Sequence, residues 1–300
     1  MLKAPLPNLP SWIDHFSRQD IPVLAYSLER MREMKDKLDD IDIRDIATLI
    51  RHDPLLSLRL VRYLESRRHN SQITDVTTLD RILLMIGTSG FFHAFSHSQP
   101  LEVQLADYPE AVEGCKRVCS RAYLSARIAE AIATKRHDLD PAELTTAVLL
   151  HNTAEILLWV EAPTLANEIA SLLKRNPGMR SRDAQKQVLG ITLHELHLGL
   201  LQAWRLPKLM QHLLDERFAN EPRVRSVSIA TSLARHLVNS WFDPGLPDDF
   251  LNMANLIGTT PEAAYHLIQK IALAVAGEWE WYGIPPVAAM LAQATPENVP

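Results

Sequence analysis

The stretch Ile46-Ala47-Thr48-Leu49-Ile50-Arg51-His52-Asp53-Pro54-Leu55-Leu56-Ser57-Leu58-Arg59-Leu60-Val61-Arg62 decides how this chain is read. Ile43, Ile46, Ala47 and Ile50 recur at helical spacing, and Leu55, Leu58 and Val61 do so again, so two amphipathic helices follow one another. Between them Asp53 offers a capping carboxylate. Pro54 then sits at the first helical position, where its missing N–H costs nothing. The same device, a capping side chain before a proline, returns at Asp140-Pro141 and Thr260-Pro261 and marks two further helix starts.

Working outward, ten glycines in 300 residues is about half the ordinary usage. None of the 19 prolines interrupts a period-two apolar pattern, so helix is favoured throughout and the expected fold class is all-α. The periodicity predicts helices over 22–38, 43–52, 54–67, 77–86, 88–96, 109–135, 141–161 with a break, 163–175, 181–205 with a break, 207–218, 223–241, 248–257, 261–280 and 285–292. Ser98 to Pro109 lacks periodicity and reads as a connection, and Phe242-Asp243-Pro244-Gly245-Leu246-Pro247 reads as a second. The expected organisation is an N-terminal helical subdomain (1–100), a central helical core (101–245) and a C-terminal helical extension (246–300).

A hydrophobic content of 47% is that of a globular chain, and a net charge of −5 with both signs interspersed gives no overall basic footprint. Nucleic acid and membrane surfaces are therefore not the expected partners. Cys115 and Cys119, the only cysteines, are spaced for neighbouring turns of one helix, which excludes a disulfide scaffold and points to a reducing compartment. Pro5, Pro7, Asn8 and Pro10 do not suit a signal-peptide core, and no apolar run reaches membrane-spanning length, so a cytoplasmic location is expected. No Gly-rich phosphate loop, Gly-x-Ser-x-Gly elbow or Cys-His pairing is present, so nucleophilic catalysis has no candidate.

Residues 46–62 closely resemble the signature of the HDOD family, a degenerate branch of the HD superfamily, in which a helix, Asp-Pro-x-Leu and an Arg-Leu-rich helix follow one another. Glu65-Ser66 stands where that family usually has Asn-Ser. The segment from Ile73 through Thr78 to Leu84-Met85-Ile86-Gly87 is similar to the family's next helix, which ends at Leu-Gly. Ala147-Val148-Leu149-Leu150-His151-Asn152-Thr153-Ala154-Glu155 resembles the helix bearing the His-Asp doublet of HD phosphohydrolases. Leu189-Gly190, His194, Gly199 and Trp204-Arg205-Leu206-Pro207 are similar to the later His, Gly, Trp-x-Leu-Pro stretch. The likeness spans residues 5–240 and leaves the last sixty or so uncovered.

The resemblance implies a multi-helical HD-like core and a role in signal transduction. It also implies where a metal would lie in an HD hydrolase: on an upstream His, the His-Asp doublet and a distant Asp, whose charges balance a divalent ion and prepare its bound water. By family spacing Arg121 stands at the upstream His, Asn152 replaces the doublet's Asp and Thr231 stands at the final Asp, so His151 alone is kept. A guanidinium is permanently charged and has no lone pair, so Arg121 repels a metal. The vestigial pocket of Arg121, His151, Asn152 and Thr231 instead suits an anion, because the first three offer hydrogen-bond donors.

These implications lead to an expected non-enzymatic regulatory protein without a cofactor. It would act on an unidentified signalling partner such as a kinase, a diguanylate cyclase or phosphodiesterase, or a transcription regulator; self-association stays open. One alternative is a residual metal-dependent phosphohydrolase, with metal on His151 and His194, acting on a nucleotide or phosphodiester. A second is a nucleic-acid-binding regulator, disfavoured by the acidic charge. His194 and His197 lie three apart and miss the zincin spacing, so they read as hydrogen-bonded or solvated side chains. The aromatic run Glu278-Trp279-Glu280-Trp281-Tyr282 reads as the end of a helix docked on the core.

Overall fold

The computed structural model describes residues 1–36, 41–67 and 76–289. The ends of the expected 22–38 and 285–292 helices, and Ile73, lie outside the described residues. In chain order the α-helices are α1 (Leu9–Arg18), α2 (Ala25–Lys35), α3 (Ile43–His52), α4 (Pro54–Ser66), α5 (Leu79–Phe95), α6 (Leu101–Gln104), α7 (Pro109–Lys135) and α8 (Pro141–His151). They continue with α9 (Thr153–Glu161), α10 (Pro163–Arg175), α11 (Ser181–Leu189), α12 (Leu193–Ala203), α13 (Lys208–Leu213), α14 (Pro222–Asn239), α15 (Leu246–Ile257) and α16 (Pro261–Ala276). Short 3-10 turns cover Glu216–Phe218 and Trp279–Trp281. The fold is all-α: among the described residues the only β pairing is an isolated parallel bridge between Val23 and Pro100. No single described helix is long and apolar enough to cross a membrane.

The chain forms two compact units, each of two stretches: Met1–Cys119 with Asn152–Gln211, and Ser120–His151 with His212–Pro300. In the first, α3, α4 and α5 pack on one another around Ile46, Leu49, Ile50, Leu55, Leu56, Phe91 and Phe95, all at most 1% exposed. α1 packs on α12, where Gly199 makes room: a Cβ there would lie 2.2 Å from Ile13 Cδ1. Gly114 of α7 likewise admits the Trp159 ring, whose atoms come within 2.7 Å of an added Cβ. In the second unit α14 packs on α8 and α15, and α15 on α16, burying Leu144, Val148, Leu233, Met253 and Ile268.

Three of the predicted boundaries have a local cause on view. Asp53 caps α4 with its Oδ1 accepting from the N–H groups of Leu55 and Leu56 at 2.9 and 3.1 Å. Thr260 caps α16 through Ala263 N–H at 3.2 Å. The two helices expected to meet at Gly87 form one kinked element, and the kink is Gly87 itself, with φ 73° and ψ 163°, open to a residue without Cβ.

The structure also corrects the reading in three places. α1 was not among the expected helices, which began at residue 22. Asn8 accepts from Ser11 N–H at 3.0 Å and Pro10 falls in the first turn, so the prolines precede or open the helix rather than break it. The connection 98–109 contains the short α6. Finally, α16 ends at Ala276, so the aromatic run is a 3-10 turn whose rings divide: Tyr282 is 3% exposed and Trp279 51%.

Candidate functional site

Asp53 is fully buried, and its second carboxylate oxygen reaches the start of α2, accepting from Leu24 N–H at 2.9 Å and Ser27 Oγ–H at 2.7 Å. One carboxylate thus joins the first turns of two helices with four donors. Burial pushes it up to about 6, against the downward pull of those four hydrogen bonds. Arg62 donates to the Gln19 carbonyl at 2.5 Å and lies over the Trp204 ring at 5.5 Å. The indole N–H of Trp204 points to the Ser17 carbonyl at 3.4 Å. Arg59 holds Asp20 at 2.7 Å and the Ile21 carbonyl. The Asp-Pro, Arg-Leu and Trp-x-Leu-Pro phrases are therefore tie points of the first unit, and the sequence reading had seen Asp53 only as a cap.

Of the residues expected at the vestigial HD site, Arg121, His151 and Thr231 lie in the second unit. His151 ends α8 and Thr231 is on α14, two helices that pack together there. Asn152 follows His151 directly, with φ −91° and ψ 13°; it is the break between α8 and α9 and begins a stretch of the first unit. Arg121, His151, Asn152 and Thr231 are all half-buried. The Thr231 hydroxyl lies 3.0 Å from the carbonyl oxygens of both Val227 and Ser228 and donates back into its own helix. His194 is exposed on α12, in the first unit.

A divalent metal does not fit this donor set. Arg121 has no lone pair, Asn152 brings no charge, and the Thr231 hydroxyl is turned to backbone. Among the described residues no group of three or more His, Cys, Asp or Glu side chains is placed to hold a metal ion. Arg121 is a donor only, and the Asn152 amide brings a carbonyl oxygen but no negative charge. His197, read as hydrogen-bonded or solvated, is 4% exposed on α12, and so belongs to the packed side of that helix.

Two further titratable pairs are not legible in the sequence. His15 stands 4.0 Å from the Glu161 carboxylate. Gln104 also donates to Glu161, at 3.4 Å. Burial pushes Glu161 up and His15 down, so both lean toward their neutral forms. His236 Nδ1 meets Asp249 at 2.6 Å across α14 and α15, beside Gly245, whose missing Cβ leaves space for the imidazole. Only folding brings these pairs together.

The family model for the HDOD domain matches residues 21–217. Among solved structures, the chain is similar to the MmoQ response regulator from Methylococcus capsulatus str. Bath, at 17% identity and a TM-score of 0.61, covering 84% of this chain and 99% of that one. It is also similar to a virulence factor from Campylobacter jejuni subsp. jejuni, at 15% identity and a TM-score of 0.57, covering 97% of this chain and 98% of that one. Both likenesses are of fold. A search of curated proteins finds no match.

Proposed function

This chain belongs to the HDOD domain family, and from that premise we propose that it is a non-catalytic regulatory module which acts through contacts with a separate signalling protein. The observation that carries this reading is the Thr231 hydroxyl folded back on Val227 and Ser228, at the position where the family resemblance puts a metal-holding aspartate. With Arg121 and Asn152 at two other ligand positions, no carboxylate remains there to balance the charge of a divalent ion, the group that would lower the pKa of a bound water. The fold shared with a protein described as a response regulator supports a signalling context. Retention of the tie points at Asp53, Arg62 and Trp204 supports a scaffold kept for its shape.

The reading is tested by metal content together with hydrolysis of a bis(p-nitrophenyl) phosphate probe by the full chain, purified from manganese- and iron-supplemented cultures. The expected result is substoichiometric metal and no hydrolysis above background, unchanged in His151→Ala. Stoichiometric metal, with hydrolysis lost in His151→Ala, would replace this reading by the phosphohydrolase one.

A further inference from the structure

The hairpin of α10 and α11 concentrates charge that the whole-chain figure hides. From Lys174 to Lys186, across the turn between the two helices, Lys174, Arg175, Arg180, Arg182 and Lys186 stand with a single acid, Asp183, while Glu168 lies further back on α10. Five cations against one acid give this stretch +4, so in a chain of −5 the remainder carries −9. All five side chains are exposed. None of them has a carboxylate within ion-pair distance among the described residues, whereas Lys116, Arg117, Arg136, Arg217 and Arg223 each hold one within 4.0 Å. Arg175 makes one side-chain bond, to the Ser171 carbonyl at 3.2 Å. Glu195 is held below the usual carboxylate range by Thr192 first, with Lys186 a smaller and more distant cause.

The scaffold under these charges is fixed. α10 packs on α9 and α11, burying Leu165, Ala166 and Ile169 from one helix and Ala184, Val188 and Leu189 from the other. Residues 176–180 form the short turn that brings the end of α10 to the start of α11, and Arg182 and Lys186 share a face of α11 one turn apart. Like charges this close repel, and no carboxylate among the described residues lies within ion-pair distance of them to offset it. A partner that supplies carboxylates gains what the fold leaves unused.

The kind of partner follows from what the hairpin lacks. Between Pro163 and Leu189 there is no Phe, Tyr or Trp, so there is no platform for stacking bases and no ring to seat at a bilayer interface. A long polyanion running past the hairpin would meet the −9 of the remaining chain. A short acidic segment meets only the hairpin, and three of its five cations are arginines, whose planar forks take carboxylates in bidentate fashion. We propose that the α10–α11 hairpin is a docking surface for a carboxylate-rich segment of a partner protein. The proposal rests on the regulatory reading only in taking the partner to be a protein; its readout is binding, so it fails or stands apart from the metal and hydrolysis test.

The test is fluorescence anisotropy on the full chain with a labelled Glu/Asp dodecapeptide, beside a labelled single-stranded dodecanucleotide and phosphatidylserine-containing vesicles. The dodecapeptide is expected to bind at low salt, to weaken as salt rises, and to lose about tenfold or more in affinity in the Arg175→Gln/Arg180→Gln/Arg182→Gln variant. Lys135→Gln/Lys208→Gln/Lys270→Gln changes net charge equally at exposed sites elsewhere, and is expected to stay within about twofold of the parent. A matching thermal midpoint shows that each variant is folded. The proposal is overturned if the peptide does not bind at low salt, or if the control variant loses as much as the hairpin variant. It is equally overturned if the oligonucleotide or the vesicles bind more tightly than the peptide and depend on the hairpin arginines.

Discussion

The α3–α4 junction and the positions that the family resemblance assigns to a metal site hold their side chains in different ways. At the junction, the residues shared with the family each make a structural bond: Asp53 to four donors, Arg62 to Gln19 and the Trp204 ring, and Trp204 to Ser17. At the second place the positions that the resemblance assigns to metal ligands hold Arg121, Asn152 and Thr231, while α8 and α14 are formed around them. The helices survive because apolar burial and caps hold them, as with Leu144, Val148 and Leu233 of the second unit, rather than a metal ion. On the proposed reading, sequence is kept where it holds the fold and has changed where it would hold a reaction.

The contrast can be broken by mutation. Asp53→Ala strands four buried donors and is expected to cost about 4 kcal/mol in denaturant unfolding. Thr231→Ala, which removes a hydroxyl bonded only to its own helix, is expected to cost less than about 1 kcal/mol. Comparable losses at the two positions would erase the distinction.

The same carboxylate sharpens it through pH. Because burial raises Asp53 to about 6 in the folded chain, above its unfolded value of 3.8, the folded state binds that proton more tightly. Its contribution is therefore complete below pH 3.8 and is lost as pH rises through about 6. The stability difference between the parent and Asp53→Asn is expected to shift by about 3 kcal/mol against the parent over that window. A difference flat in pH would contradict the assignment. The smallest effect is expected at Arg205, which holds φ at 55° just past the end of α12 within the Trp-x-Leu-Pro phrase. Arg205→Gly relieves the left-handed strain and is expected to raise stability by about 0.5–1 kcal/mol, read as a higher thermal midpoint.

Helix positions were legible wherever a cap preceded an apolar period, as at Asp53-Pro54 and Thr260-Pro261, because both signals are local. α1 was not, since Pro5, Pro7 and Pro10 look alike in sequence and only the Asn8 to Ser11 bond tells a helix opening from a loop. The substitutions at the HD positions could be read residue by residue, but the inward turn of the Thr231 hydroxyl could not, because a rotamer leaves no trace in sequence spacing. The Asp53 bond to Leu24 joins positions 29 residues apart, and the His236–Asp249 pair forms only when α14 and α15 fold together. The cationic hairpin was hidden by averaging, since a net −5 does not reveal where its positive charges gather.

The most direct test of the central claim is elemental analysis of the full chain beside its Arg121→His/Asn152→Asp/Thr231→Asp variant, both folded and both purified from metal-supplemented medium. The account predicts little metal in the parent and a rise toward one equivalent in the variant, lost again when His151→Ala is added. A parent chain that already carries stoichiometric metal, released by His151→Ala alone, would contradict it.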